Sequence, residues 1–554
     1  MNVARLNASH GSTAQRRELI SMARDVEDRS GSPLAVLLDL SGPEVRTAPS
    51  DTTRTLQTGE ELSFTTIERA SGEQIGLTES IAAVSPGDRV LLDDGRIETT
   101  VERVENGVVT AAIDSGGELG SRAGVNIPGV DLGLPAVTEA DRAELDLAAS
   151  ADVDFVAASF VRSGEDIFTI SAELEERGVD VPIIAKIERA DAVENADGII
   201  EAADGIMVAR GDLGVECPLE DVPLIQKRLI RKANRTGVPV ITATEMLDSM
   251  IHERRPTRAE ASDVANAVLD GTDAVMLSGE TAVGDHPVEV VKMMRRIIDD
   301  VEQSGEYAEV REQRVPPASD TRTDALARSA RYLARDVDAT AIVAASESGY
   351  TALKAAKYRP SIPIVAATPS AGVRRQLSLS WGIIPQEVTY TTDSADGVIN
   401  RAVQAAIDTG AADSGDTVVV LAGMMTELEG LDTANMLKVH IASERLAAGR
   451  SVVAGQISGP LCAVGDGDLS DLPDGAIIAV PASFDGEFDG DLSRIGGIVD
   501  GHSGMTGYPA IVARELDLPM ICDAQLDEAV VDERRVTLDA ERGVVYGNPV
   551  DPDR

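Results

Sequence analysis

Cysteine is scarce in this chain: three residues in 554, Cys217, Cys462 and Cys522, far apart and without metal-ligand spacing. That excludes a disulfide framework and fits a reducing compartment, where the thiols read as small buried apolar side chains. No apolar run approaches the roughly 18–20 residues of a membrane span, which excludes spanning helices. The opening residues carry no signal-peptide pattern, so a cytoplasmic protein is expected. Positive charge is the other scarcity. Lys and Arg total 50 against 94 Asp and Glu, a net charge of −44 spread along the whole chain. Such a field repels nucleic acid and anionic membranes, and neither is expected as a partner. It also suggests a halophilic protein, because at about 1 M salt the Debye length is only about 3 Å and self-repulsion becomes tolerable.

What is present is hydrophobic residue in quantity, 43% of positions, enough for several cores and about three or four domains. Short apolar runs alternate with helical patterns: Val3–Leu6, Ala35–Leu40, Phe155–Phe160, Ile183–Ile187, Gly205–Val208, Val238–Ala243 and Ala274–Leu277. These are β/α units with polar residues gathered at the strand C-termini, where a (β/α)8 barrel places its chemistry. The fold class is therefore α/β, a TIM barrel over residues 1–45 and 130–315. Seven strands can be counted where closure needs eight, so a first strand is expected to be missing upstream of Met1.

Between the barrel pieces, residues 46–129 hold no long helical pattern but several strand-like pieces and turns such as Asp93-Asp-Gly95. They predict an inserted β-barrel domain able to close over the site as a lid. Alternation resumes in residues 317–445, predicting a separate doubly wound α/β domain with strands at Ala341–Ala345, Ile364–Ala367 and Val418–Leu421. Residues 447–554 are rich in Gly and Asp, with strands expected at Ala476–Val480, Gly497–Val499 and Met520–Cys522 and a helix at Pro509–Leu516.

Lys186 is the only lysine before Lys227. It ends an apolar strand two residues before Glu188, so the two side chains point the same way, and Asp212 ends the next run. One cation beside two carboxylates at strand ends predicts a divalent-metal and phosphate site, since a hard dication takes one or two carboxylates and fills its remaining positions from water and substrate. Arg5, Asn7 and Ser9 alternate along one face, offering a guanidinium for phosphate and two neutral oxygens for a monovalent cation, with Asp39 at the next strand end as a charged ligand. The chain turns into a new segment at Gly211-Asp212, where free N–H groups suit a carboxylate or phosphate. Thr244 closes another strand, and its hydroxyl can relay a proton or bond a carboxylate. Ser278-Gly-Glu280 is expected to line the pocket from the far side. Pro256-Thr257-Arg-Ala-Glu260 reads as a helix capping box.

Taken in order, Asn2-Val-Ala-Arg-Leu-Asn-Ala-Ser-His-Gly, Gly-Pro-Glu44-Val-Arg46, Gly124-Val-Asn-Ile-Pro-Gly, Ala-Lys186-Ile-Glu, Met-Val-Ala-Arg-Gly211-Asp-Leu-Gly, Ala-Thr244-Glu-Met-Leu and Leu-Ser278-Gly-Glu-Thr-Ala closely resemble pyruvate kinase, over roughly residues 1–445. The resemblance implies phosphoryl transfer from phosphoenolpyruvate to ADP, the final step of glycolysis. It implies Lys186 and Thr244 as catalytic groups and Arg5, Lys186, Gly211, Asp212 and Thr244 as substrate contacts. Asn7, His10 and Arg46 would face the nucleotide. Glu188 and Asp212 would hold Mg²⁺ or Mn²⁺, while Asn7, Ser9, Asp39 and the Leu40 carbonyl would hold K⁺. A homotetramer is implied as well. Four positions depart from the family pattern: Leu40 for Thr, Ser41 and Ala123 for Lys, and Glu245 for Gln. Glu44 goes with K⁺ dependence in the family. The tail, Gly504-Met-Thr-Gly-Tyr508-Pro-Ala-Ile-Val-Ala, is similar to the swivelling domain of phosphoenolpyruvate-using enzymes, but Tyr508 stands where the phosphoryl-carrying His is expected.

Overall fold

In the computed structural model the described residues are all but 69, 71–72, 391–394, 424–433, 443–444, 525, 527–531 and 548–554. They form two compact units. One holds Met1–Ser319 with Ala356–Arg359 and Ala371–Trp381; the other holds the remainder from Asp320 onward.

Seven parallel strands build the first unit, in sequence order across the sheet: β1 (Val3–Asn7), β2 (Ala35–Asp39), β3 (Phe155–Ala158), β4 (Ile183–Ile187), β5 (Gly205–Ala209), β6 (Val240–Ala243) and β7 (Ala274–Val275). They are the seven read from the sequence, with ends shifted by at most two residues and Ile183–Ile187 unchanged. The five inner strands are buried at every position, which is why they read as apolar runs, interrupted only by Asp39, Lys186 and Thr242. β1 and β7, at the two edges, are only half-buried. Along β2 the side chains alternate: Val36 and Leu38 join the core beneath the surrounding helices, while Ala35 and Leu37 join Phe155, Ala157, Ile184 and Met207 in a second, interior cluster. The barrel lumen is thus a packed core, with the site's polar groups gathered toward the strand C-termini.

Helix ends in this unit follow their caps. Ser12 opens the first helix through a capping box with Gln15, and Thr257 does the same with Glu260, as the Pro-Thr-Arg-Ala-Glu spacing predicts. At the opposite end from the site, Asp154 is buried and gathers Arg24 Nη2 at 2.6 Å, Arg375 Nε at 2.6 Å and the Val36 amide at 2.7 Å.

The inserted segment forms a seven-stranded, mostly antiparallel sheet around its own apolar cluster, in the order 45–46, 124–126, 89–92, 97–105, 108–115, 61–66 and 75–77. In the second unit, four parallel strands, Ile383–Glu387, Ile364–Thr368, Ala341–Ala345 and Thr417–Ala422, carry an antiparallel edge at Met436–Ile441. A further eight-stranded mixed sheet includes Gln456–Ala463, Ala476–Val480, Ile495–Asp500 and Met520–Cys522.

Candidate active site

Lys186 sits near the end of β4 with its ammonium turned into a ring of oxygens. Nζ donates to Ser159 Oγ at 2.7 Å and lies 2.8 Å from Glu188 Oε1 and 3.2 Å from Asp39 Oδ1. The other oxygen of Asp39 pairs with Arg5, 2.7 Å from Nε and 2.5 Å from Nη2. Asp39 is fully buried and Glu188 is 1% exposed, so these charges act on one another with little solvent screening. Four consecutive strands, β1 to β4, thereby bring Arg5, Asp39, Ser159 and Lys186 to one mouth.

Burial alone would lower the Lys186 ammonium, but Asp39 and Glu188 outweigh it and hold its pKa above the usual lysine range. Glu188 is pushed up to about 7, first by burial and further by the charge of Asp212, against the pull of Lys186. Burial likewise raises Asp212, opposed by Lys186 and reinforced by Asp94 and Glu44 from the inserted segment and its approach. Both carboxylates are thus short of positive charge, the condition a bound dication relieves. Glu188 Oε2 accepts the Phe160 amide at 2.7 Å, which fixes the carboxylate plane. Among the described residues no three His, Cys, Asp and Glu side chains cluster as a self-sufficient metal cage. A two-carboxylate set is what Mg²⁺ uses when substrate oxygens complete its shell.

Gly211 and Asp212 occupy the first turn of a short helix, Arg210–Glu216, directly after β5. Gly211 faces Thr244, whose backbone lies in the left-handed region at φ 75° and is followed by Glu245 at φ 54°. Two successive non-glycine residues in that region are strained, and such strain is held by surroundings that over-determine it. Here Arg210 supplies the clamp, donating to the carbonyls of Ala243 and Thr244 at 3.1 and 2.6 Å.

The remaining predicted residues spread around this centre. Asn7 pairs in register with Asp39 at the ends of β1 and β2, and its Oδ1 accepts the Ser9 amide at 3.0 Å. Ser159 Oγ reaches the Leu40 carbonyl at 2.7 Å and Asp39 Oδ1 at 3.3 Å, so these two oxygens converge. Ser9 Oγ donates to Ser41 at 3.2 Å, and His10 is exposed. Arg46 is paired with Glu44 at 2.8 Å and donates to the Arg122 carbonyl. Glu280 is 2% exposed and is spent on the amides of Leu247 and Ser278 at 3.2 and 2.6 Å, bracing loops rather than presenting a charge.

Sequence reasoning passed over Ser159 and Arg210. Ser159 follows an apolar strand, a place where serine usually reads as a helix cap; the signal available was that it ends β3 as Lys186 and Asp39 end theirs. In the tail, Tyr508 packs edge-on against Phe488, 5.4 Å between ring centroids, so its ring serves a core.

A parallel β/α barrel with a buried ammonium among carboxylates at its strand ends, and a β insertion beside them, is built for moving phosphoryl groups. Residues 1–291 match the family described as pyruvate kinase, barrel domain; residues 324–440 match its alpha/beta domain, and 472–543 match the PEP-utilising enzyme, mobile domain. Pyruvate kinase of Geobacillus stearothermophilus is 41% identical over 99% of this chain and 94% of its own length. Those of Bacillus licheniformis and Sporosarcina psychrophila are 39% and 40% identical over the same shares. The chain belongs to the pyruvate kinase family. It is an enzyme, a phosphotransferase of glycolysis. No helix among the described residues is long and apolar enough to cross a membrane.

Proposed function

We propose that this chain binds phosphoenolpyruvate and ADP at the mouth formed by β1 to β6 and carries the transfer on Lys186. The observation that carries the reading is the Lys186 ammonium held among Asp39, Glu188 and Ser159, which keep it charged.

Phosphoryl transfer asks little covalent chemistry of a protein; it asks for positioning and for positive charge where negative charge spreads. Lys186 gives hydrogen bonds to the phosphoryl oxygens in flight. Arg5, already oriented by Asp39, turns its free N–H groups to the substrate phosphate. The Gly211 and Asp212 amides and the Thr244 hydroxyl hold the substrate carboxylate. Mg²⁺ or Mn²⁺, held by Glu188 and Asp212, would supply the positive charge that neutralises the transferring group. Asn7, Ser9, Asp39 and the Leu40 carbonyl form the K⁺ set, supported by the register of Asn7 with Asp39. Asn7, His10 and Arg46 face the nucleotide. After transfer, the enolate gains its proton at carbon on the Thr244 side, through the hydroxyl and ordered water.

The proposed organisation is a barrel at 1–45 and 130–315, a lid at 46–129, an α/β domain at 317–445 and a mobile-like domain at 447–554. A homotetramer in a salt-rich cytoplasm completes the proposal. The test is pyruvate formation by the purified chain from phosphoenolpyruvate and ADP with Mg²⁺ and high KCl. Turnover that depends on all four supports the reading; absence of pyruvate in the full mixture refutes it.

A further inference from the structure

The Arg210–Glu216 helix has two ends with different neighbours. Its first turn carries Gly211 and Asp212 and is tied to the loop after β6 by Arg210, which Asp263 holds in turn at 2.7 Å. Its last turn meets the inserted β segment. A β-carbon on Gly95, in the turn between strands 89–92 and 97–105, would lie 3.6 Å from Val215 Cγ1. Asn126, ending strand Gly124–Asn126, donates from Nδ2 to Glu216 Oε1 at 3.3 Å.

Glu216 is 8% exposed, and its second oxygen, Oε2, is buried with no hydrogen-bond partner. It lines a cleft shared with Val125, Ile127, Phe160, Arg162 and Arg189, between the insertion and the barrel loops. A buried carboxylate oxygen is costly to leave unpaired, so Oε2 is placed to accept from a further donor. The one hydrogen bond that Glu216 accepts, from Asn126, is at the long end of the range, and Arg189 in the same cleft attracts the carboxylate electrostatically. A helix of seven residues is a stiff rod about 10 Å long, so a displacement at its far end reaches Asp212 undiminished.

We propose that Glu216 is a positioning residue for the transfer: through Asn126 it registers the lid on the helix that carries Gly211 and Asp212, and lid closure tightens that bond and supplies Oε2 with its second donor. The lid's posture and the geometry of the substrate site are then set together. This rests on the reaction proposed above.

The test compares full-length wild type with Glu216→Ala, Glu216→Gln, Asn126→Ala and the double alanine variant. Steady-state rates are taken with phosphoenolpyruvate, ADP, Mg²⁺ and K⁺, and amide hydrogen exchange of residues 124–126 is followed with and without phosphoenolpyruvate and Mg²⁺. A misplacement of the substrate helix by about 1 Å predicts a fall in kcat of about 10- to 100-fold for either single alanine. The double variant should be no worse than the poorer single, since both remove one contact. Glu216→Gln, which keeps the oxygen that Asn126 reaches but loses Oε2 as an acceptor, should recover only part of kcat, falling between wild type and Glu216→Ala. Protection of 124–126 on adding ligand should appear in wild type and vanish in Glu216→Ala. Additive losses, unchanged kcat, or ligand-induced protection that survives Glu216→Ala would each overturn the proposal. Wild type making no pyruvate would instead refute the reaction, while the exchange measurements would still decide the latch.

Discussion

Gly211 and Thr244 touch so closely that a β-carbon on the glycine would come within 2.7 Å of Thr244 Cγ2. The Arg210–Glu216 helix after β5 and the turn after β6 are thereby held at a separation that only a glycine allows. Replacing glycine by alanine inside a helix ordinarily stabilises it by up to about 1 kcal/mol. Here Gly211→Ala should instead push Thr244 out of place and lower kcat about 100-fold, with thermal stability falling little. Rates and thermal midpoints measured side by side decide this, and unimpaired turnover would show the contact to be incidental.

Lys186→Met removes the one ammonium between Asp39 and Glu188. On the reaction proposed above, in which this charge meets the transferring group, its loss should cost kcat roughly 1,000-fold or more. Stripping the cation from a buried pair also costs about 3–5 kcal/mol. Urea unfolding should register that loss in the absence of substrate, and Mg²⁺ should restore part of it by taking over the carboxylates.

Glu188 gives the metal-free protein a pH dependence of definite sign. Its folded-state pKa is raised from 4.5 to about 7, so between those values the folded state binds more protons than the unfolded one. Stability therefore falls as pH rises from about 4.5 to 7, by on the order of 3 kcal/mol in total, and stays low above that window. Mg²⁺ competes with the proton, so its stabilising effect should be larger at pH 8 than at pH 6. Thermal midpoints at the two pH values, with and without Mg²⁺, check the sign, and Glu188→Gln should flatten the metal-free profile.

Ser159→Ala should lower kcat about tenfold, because its hydroxyl accepts from Lys186 and donates toward the Leu40 carbonyl. The stability cost should be about 1 kcal/mol, the net worth of an ordinary hydrogen bond. A change in the K⁺ concentration needed for half-maximal rate would place the hydroxyl at the monovalent-cation set, and its absence would confine Ser159 to Lys186.

A net charge of −44 predicts salt-dependent folding. Circular dichroism should show structure lost as KCl is lowered from about 1 M, where screening is nearly complete, toward 0.01 M, where the Debye length is about 30 Å. A spectrum indifferent to salt would remove the halophilic reading while leaving the chemistry intact.

The barrel strands were legible because burial on both faces keeps their runs apolar, as in Phe155–Ala158 and Gly205–Ala209, and leaves polar residues such as Lys186 to stand out where they occur. Elements that face water on one side were not. Ile383–Glu387 holds Pro385 and ends in Gln and Glu, and Gln456–Ala463 holds Gly459 and Pro460; both read as loops until their partners are seen. Asp532–Asp539, with Asp-Glu-Arg-Arg at its head, looks like a solvated charge run, yet Val536 and Leu538 are fully buried in the sheet it joins. At the site, Glu188 directly follows the strand that carries Lys186, so a side-chain period of two placed them together in advance. Ser159 and Arg210 gain their meaning from partners on other strands, and no local spacing announces those.

Residue order alone settled the barrel, the insertion, the family and the ammonium-and-carboxylate inventory, because each is written in short windows where neighbours along the chain are neighbours in space. Which oxygens surround Lys186, how tightly Gly211 meets Thr244, and that Glu216 keeps an oxygen buried and unpaired were decided only by the packed structure. These are relations among strand ends and loops far apart in sequence, and their energies depend on burial and on distances of a few ångströms that folding alone fixes.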